Sequence, residues 1–197
     1  MKPIAEVVSS QTRQFTAQLL RDQTPPALGT WIKVARTDGI LIWGVVYSIE
    51  SASIEPSRQV EAFGKPREAL MREMPQVFEL IRTYVSVLIL GYETPDGQIR
   101  QTLPPHPPEL HDFVTRISDA DVMRMQQPFD FLRTLMQSKD NGLPLDDLLV
   151  AMLRQYETYA PTPDLARRYL LAAGRQLSRL MGDDHERLQS ILRRASA

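Results

Sequence analysis

His106, Glu109, His111 and Asp112 carry side chains that can ligate a metal ion, and they fall within one short stretch. Their spacing follows no established zinc pattern. Prolines also cross the stretch, so a plainer expectation holds there. Leu110 and Phe113 anchor it on a neighbouring domain, and His111 and Asp112 make local hydrogen bonds. His185 stands between Asp184 and Glu186 in an expected first helical turn and reads as a solvated residue. A nucleophilic Ser or Thr needs a base and an orienting acid. Serines are plentiful, but no Gly-x-Ser-x-Gly elbow occurs. Asp146-Asp147 and Asp183-Asp184 are paired carboxylates at expected helix starts, where the helix dipole favours them. No catalytic, cofactor-binding or metal-ligating residue is assigned.

The basic side chains are more informative. Nineteen of the 23 Lys plus Arg residues are Arg. From Leu165 to Ala197 there are seven basic residues against three acids, a local excess of +4. Arg168, Arg175 and Arg179 share one face of an expected helix. A guanidinium can grip a carboxylate or a phosphate with two bonds, so this face suits an acidic protein surface or nucleic acid. A solvated helix face explains the same residues without a ligand. Few aromatic residues accompany the patch, which weakens a single-strand-binding reading, because bases stack on rings.

Composition narrows the class. The chain has 197 residues, 43% of them apolar and 24% charged, with a formal net charge of −1. That is too apolar and too neutral for a disordered chain. Zero cysteine excludes disulfides, thiolate catalysis, iron–sulfur clusters and Cys-based zinc sites. Near neutrality argues against gripping nucleic acid over the whole surface. The N-terminal stretch turns polar at Ser9-Ser10-Gln11, too early for the apolar core of a signal peptide. The longest apolar runs, Gly39 to Ile49 and Val85 to Leu90, fall short of the ~20 residues that a membrane helix needs. A soluble, cytoplasmic protein without membrane insertion is expected.

The elements that position these residues divide in two. Ile4 to Ser9, Phe15 to Leu20, Trp31 to Arg36, Ile40 to Ile49, Thr83 to Tyr92 and Gln98 to Leu103 read as strands. Asp38-Gly39 between two apolar runs predicts a hairpin, because the tight turn needs positive φ. Pro66 to Met74 and Pro75 to Ile81 read as short helices. Four prolines within Pro104 to Pro108 favour a stiff extended connection. Beyond it the chain is helical. Ser118 and Asp121 form a capping-box pattern for a helix to about Gln127. Pro128 opens the next, which runs to about Ser138 and is ended by Asn141-Gly142. Leu145, Leu148, Leu149, Met152, Leu153 and Tyr156 line one apolar face of a third. Thr162-Pro163 starts a long helix that Gly182 stops, and Asp183 caps the last.

Three strands do not alternate as a half-buried strand should. Ile40, Ile42, Gly44 and Val46 lie on one face and Leu41, Trp43, Val45, Tyr47 and Ile49 on the other. Val85, Val87 and Ile89 oppose Tyr84, Leu88, Leu90 and Tyr92, and Trp31 opposes Ile32 and Val34. If the sheet closes as a small barrel, one face fills the interior and the second needs a cover. The helical half or a partner chain would supply it, which makes Trp31 and Trp43 candidate contact residues.

The order Ile4-Ala-Glu-Val-Val-Ser, Phe15-Thr-Ala, Pro25-Pro-Ala-Leu-Gly29-Thr-Trp-Ile-Lys-Val34 and Gly39-Ile-Leu-Ile-Trp-Gly44-Val-Val-Tyr-Ser-Ile49 resembles the HAS barrel. That six-stranded module begins the HerA-type hexameric DNA-translocating ATPases, and a related barrel begins the α and β subunits of the rotary ATP synthase. The resemblance covers residues 2 to 103, and Gly29 and Gly44 are its most telling matches. Those ATPases continue into a P-loop domain, which this chain lacks. Gly64-Lys65 is followed by Pro66, whose missing N–H could not help cradle phosphate. The resemblance therefore implies ring assembly and partner docking, not ATP hydrolysis.

These readings combine into an α+β chain. A six-stranded HAS-like β-barrel with one or two inserted short helices spans 1–103, a proline-rich linker 104–116 and an α-helical domain 117–197. The expected function is a non-enzymatic interaction or assembly factor. Its partner is another protein or complex, a second copy of the chain included. Trp31, Trp43, Arg168, Arg175 and Arg179 are its candidate interaction residues, and no cofactor is expected. The alternative is a nucleic-acid accessory factor that uses the Arg-rich C-terminal helices.

Overall fold

The computed structural model describes residues 2–54, 61–138 and 142–196. Its strands are β1 (Ala5–Ser10), β2 (Gln14–Leu19), β3 (Trp31–Ala35), β4 (Leu41–Ser53), β5 (Ile81–Glu93), β6 (Ile99–Arg100) and β7 (Phe113–Arg116). The sheet order is β2-β1-β7-β3-β4-β5-β6, and every pairing is antiparallel. A further pairing of β2 with β5 closes six strands into a barrel and leaves β6 outside. Closure removes the free edges that invite unwanted strand pairing. Two short helices, α1 (Arg67–Glu73) and α2 (Gln76–Glu79), lie between β4 and β5. After β7 come α3 (Asp119–Gln126), α4 (Phe131–Met136), α5 (Leu145–Arg154), α6 (Tyr156–Tyr159), α7 (Pro163–Met181) and α8 (His185–Ala195). No helix among the described residues is long and apolar enough to cross a membrane.

The sixth barrel strand is a correction to the sequence reading. It is β7, inside the segment 104–116 expected as a linker, and not the run Gln98 to Leu103. Only Ile99 and Arg100 of that run pair, and only with β5. β7 pairs with β1 on one side and β3 on the other. Prolines lack an N–H but keep a carbonyl, and these carbonyls dock the segment on the barrel. Ser10 Oγ donates to the Pro108 carbonyl at 2.6 Å and Arg36 Nη1 to that of Pro107 at 2.5 Å. His111 N–H then reaches the Val7 carbonyl at 2.9 Å, so pairing with β1 begins before β7 itself. A strand of four residues within proline-rich surroundings leaves little periodic signal.

Turns and caps follow local chemistry. Gly39 takes φ 81° in the Thr37-Asp38-Gly39 turn between β3 and β4. Ser118 Oγ accepts from Asp121 N, and Thr162 Oγ1 accepts from Leu165 N. Asp184, not Asp183, accepts from Arg187 N at the start of α8. Pro128 does not open α4, which starts at Phe131 after turn bonds from Leu132 N to Phe129 O and from Arg133 N to Asp130 O. That helix ends at Met136, and Asn141 lies outside the described residues.

The two faces of β3, β4 and β5 separate two cores. Val7, Phe15, Ile32, Ile42, Val87 and Ile89 are among the side chains that fill the barrel. Trp31, Trp43, Val45, Leu88 and Leu90 point outward and join the helical core with Met125, Phe131, Leu132 and Leu149. Burying such side chains is worth about 2 kcal/mol each. The five outward residues together therefore contribute on the order of 10 kcal/mol as an upper bound. The cover for the barrel's second face is the chain's own helical half.

Gly44 makes the tight wall possible. A Cβ there would overlap the Leu88 carbonyl and lie 2.9 Å from Val87 Cγ1. Gly91 serves Trp43 in the same way, since a Cβ there would fall on the indole ring. Gly44→Ala is expected to destabilise the chain by about 1–3 kcal/mol, the usual cost of overpacking. Gly142→Ala, at a site with nothing within 4 Å, is expected to change stability by less than about 0.5 kcal/mol. Urea midpoints of the two variants measure the difference.

Candidate functional site

Trp31 and Trp43 are not open to a partner. They are 1% and 0% exposed, at the centre of the contact between barrel and helices. Their rings are 5.6 Å apart, and Phe131 of α4 meets Trp31 edge-on at 5.2 Å. Both indole Nε1 atoms are buried without an acceptor. Each unpaired donor costs about 1–3 kcal/mol, which the surrounding apolar contact outweighs. The predicted cover was right in kind, and it is intramolecular.

Polar groups line the seam around this core. Lys33 Nζ of β3 faces Asp121 of α3 at 4.0 Å, and Arg124 of α3 pairs with Glu93 of β5 at 2.8 Å. The Gln101 amide reaches the Met125 and Gln127 carbonyls, both at 2.7 Å, and its oxygen accepts from Phe131 N at 2.9 Å. The Ser118 hydroxyl, with Lys33 and Arg124, holds the Asp121 carboxyl below its ordinary value. Glu93 raises Arg124. These shifts belong to a cap and a seam. The lowered carboxyls of Asp38 and Asp96 belong to turns, bonded first by Ile40 N–H and by Thr94 Oγ1.

The arginines of the C-terminal helices divide into two groups. Arg187 Nε and Nη2 grip Asp146 Oδ1 at 2.9 and 2.6 Å, and Arg194 pairs with Asp147. The acids at the start of α5 thus hold α8 as well as complementing a helix dipole. Both pairs are partly solvated, so each is worth at most about 1 kcal/mol. Arg168, Arg175 and Arg179 instead lie exposed along α7 with no hydrogen bond or ion pair among the described residues. A cleft of about 660 Å³ opens beside the start of α7, floored by Leu153, Tyr156 and Leu170 and edged by Glu157 and Arg167. Burial pushes the Tyr156 hydroxyl far up, so it stays neutral.

The residues around His106 follow the plainer expectation at Asp112, which bonds locally, but not at His111, Leu110 or Phe113. His111 Nδ1 lies 2.6 Å from Glu6 Oε1 across the β1–β7 pair, and Asp112 Oδ2 accepts from Glu109 N at 2.8 Å. No group of three or more metal-ligating side chains occurs among the described residues. Leu110 and Phe113 do not anchor the segment. They are 57% and 54% exposed. Phe113 is directly opposite Glu6 in the β1–β7 register. Val8, at the irregularity in β1 between Val7 and Ser9, is also exposed. Three exposed apolar residues, Val8, Leu110 and Phe113, thus occur along the β1–β7 pairing and the turn before it, as a loose apolar block. In the ring of strands β1 is opposite β4, so β1 lies on the side of the barrel away from the strand that carries Trp43. The sequence pattern does not reveal it, because β7 becomes a strand only by pairing with the distant β1 and β3. Once β7 is paired, Val8 and Phe113 are apolar residues at outward positions.

No family model matches the chain, and no curated protein matches it.

Asp121 gives the seam a pH dependence. Its folded value lies below the ordinary 3.8, so folding favours the charged form. The contribution is complete above the unfolded value and is lost as pH falls through the lower folded one. The stability difference between wild type and Asp121→Asn, read from urea midpoints, is expected to be larger at neutral pH than in acid below both values.

Proposed function

We propose that this chain is a cytoplasmic, non-enzymatic protein-interaction or assembly factor built on a HAS-like barrel. The observation that carries the reading is the apolar block of Val8, Leu110 and Phe113 on the uncovered barrel wall. Single exposed apolar residues are ordinary on a surface, but neighbouring ones on a wall are typical of a contact with another macromolecule. Phe113 lies on a strand paired on both sides, so its position is set before any partner arrives. The Glu6–His111 pair lies among these residues and adds polar contacts to them. The closed six-stranded barrel agrees with the HAS resemblance, whose implied role is docking and ring assembly. The partner in this reading is a protein with a complementary apolar patch, a second copy of the chain included.

The test compares wild type with Leu110→Ser/Phe113→Ser, both as full chains. Light scattering over a concentration series reads self-association, and cross-linking in native lysate reads a different partner. The expected result is a higher-order mass or a defined cross-linked species that the double variant loses while its unfolding midpoint is kept. A wild type that stays at monomer mass and shows the same cross-links as the variant contradicts the reading.

A further inference from the structure

We propose that the outer face of α7 docks an acidic amphipathic helix of another protein. Arg168, Arg175 and Arg179 stand at i, i+7 and i+11 of this helix. At 1.5 Å per residue they form a line about 16 Å long. All three are exposed and unpaired among the described residues, whereas Arg187 and Arg194 nearby are held by Asp146 and Asp147. Leu171 follows Arg168 by three residues and lies beside the same line. It is 53% exposed, the one exposed large hydrophobic residue of α3 to α8 among the described residues. The face thus pairs three guanidiniums, without a partner among the described residues, with one apolar anchor.

Two features select a protein over nucleic acid. First, carboxylates close the line at both ends. Asp164 is exposed in the first turn, and Asp183 and Asp184 are exposed just beyond Gly182. A phosphate backbone running along the arginines would meet like charge at either end, whereas a short acidic helix would not extend that far. Second, the face offers an aliphatic contact and no ring for base stacking. The one aromatic residue of α7, Tyr169, turns inward and packs on Phe129 and Tyr156 at 5.7 and 5.8 Å. A partner helix with carboxylates at matching spacing and an apolar residue between them satisfies both kinds of contact. Each guanidinium can then take a carboxylate with two bonds. This surface is separate from the barrel block, so it goes beyond the function proposed above and either can fail alone.

The test is fluorescence anisotropy on the full chain with three labelled probes at one low salt concentration. One is a synthetic helix with glutamates at i, i+7 and i+11 and a leucine between the first two. The second replaces the glutamates with glutamines, and the third is a duplex DNA oligonucleotide. The glutamate helix is expected to bind about tenfold or more tighter than the glutamine helix, and to weaken as salt rises. Arg168→Glu/Arg175→Glu/Arg179→Glu should abolish that binding, and Leu171→Ser should weaken it several-fold, with helical circular dichroism kept. If the triple reversal does not fold, single Arg→Gln variants must each weaken binding. No binding of the glutamate helix, no effect of the arginine variants, indifference to Leu171→Ser, or arginine-dependent DNA binding tighter than that of the glutamate helix would each overturn the proposal.

Discussion

Strands β3, β4 and β5 are apolar on both faces, and the rest of the molecule is arranged around that fact. A closed barrel can bury only one face of each strand. The inward side chains fill the barrel, and Trp31, Trp43, Val45, Leu88 and Leu90 remain outside it. Left wet, they would forfeit much of the free energy that makes a small domain stable. The helical layer therefore packs directly on the barrel, and Phe131 sits on Trp31 at the centre of the contact. The loop before β3 joins in, where the Gln155 amide donates to the Leu28 carbonyl at 3.3 Å.

Charge is distributed accordingly. Ion pairs that link elements serve packing, among them Arg124 with Glu93 and Lys33 with Asp121 at the seam, and Arg187 with Asp146 and Arg194 with Asp147 between α8 and α5. A surface arginine costs little in water, so one without an intramolecular partner is not itself unstable. What distinguishes α7 is that its three outward arginines share one line with an exposed leucine. On the barrel, Val8, Leu110 and Phe113 are exposed on β1, in the turn before β7 and on β7. The molecule thus buries its largest apolar surface internally and presents two chemically different faces outside.

Much of this was legible in the sequence. The period of two in the strands separated Ile42 and Val46 from Trp43 and Val45, and the structure keeps that division. Asp38-Gly39 marked its turn, and Ser118 and Thr162 marked their caps, because each acts through local bonds. The sixth strand was not legible. β7 is short, follows four prolines and depends on β1 and β3, which are distant in the chain. Missing β7 also hid the block containing Phe113, since its outward position exists only once β7 is paired. The tryptophans were recognised as needing a cover, but pattern alone could not say whether the cover came from the same chain.

Hydrogen exchange on Phe131→Ala tests this account most directly. Phe131 belongs to the helical layer but packs on Trp31 of the barrel. If one shared core holds both halves, the variant should lose amide protection in β3 and β4 together with α4 and α5. Barrel strands that keep wild-type protection while the helices open would contradict the account.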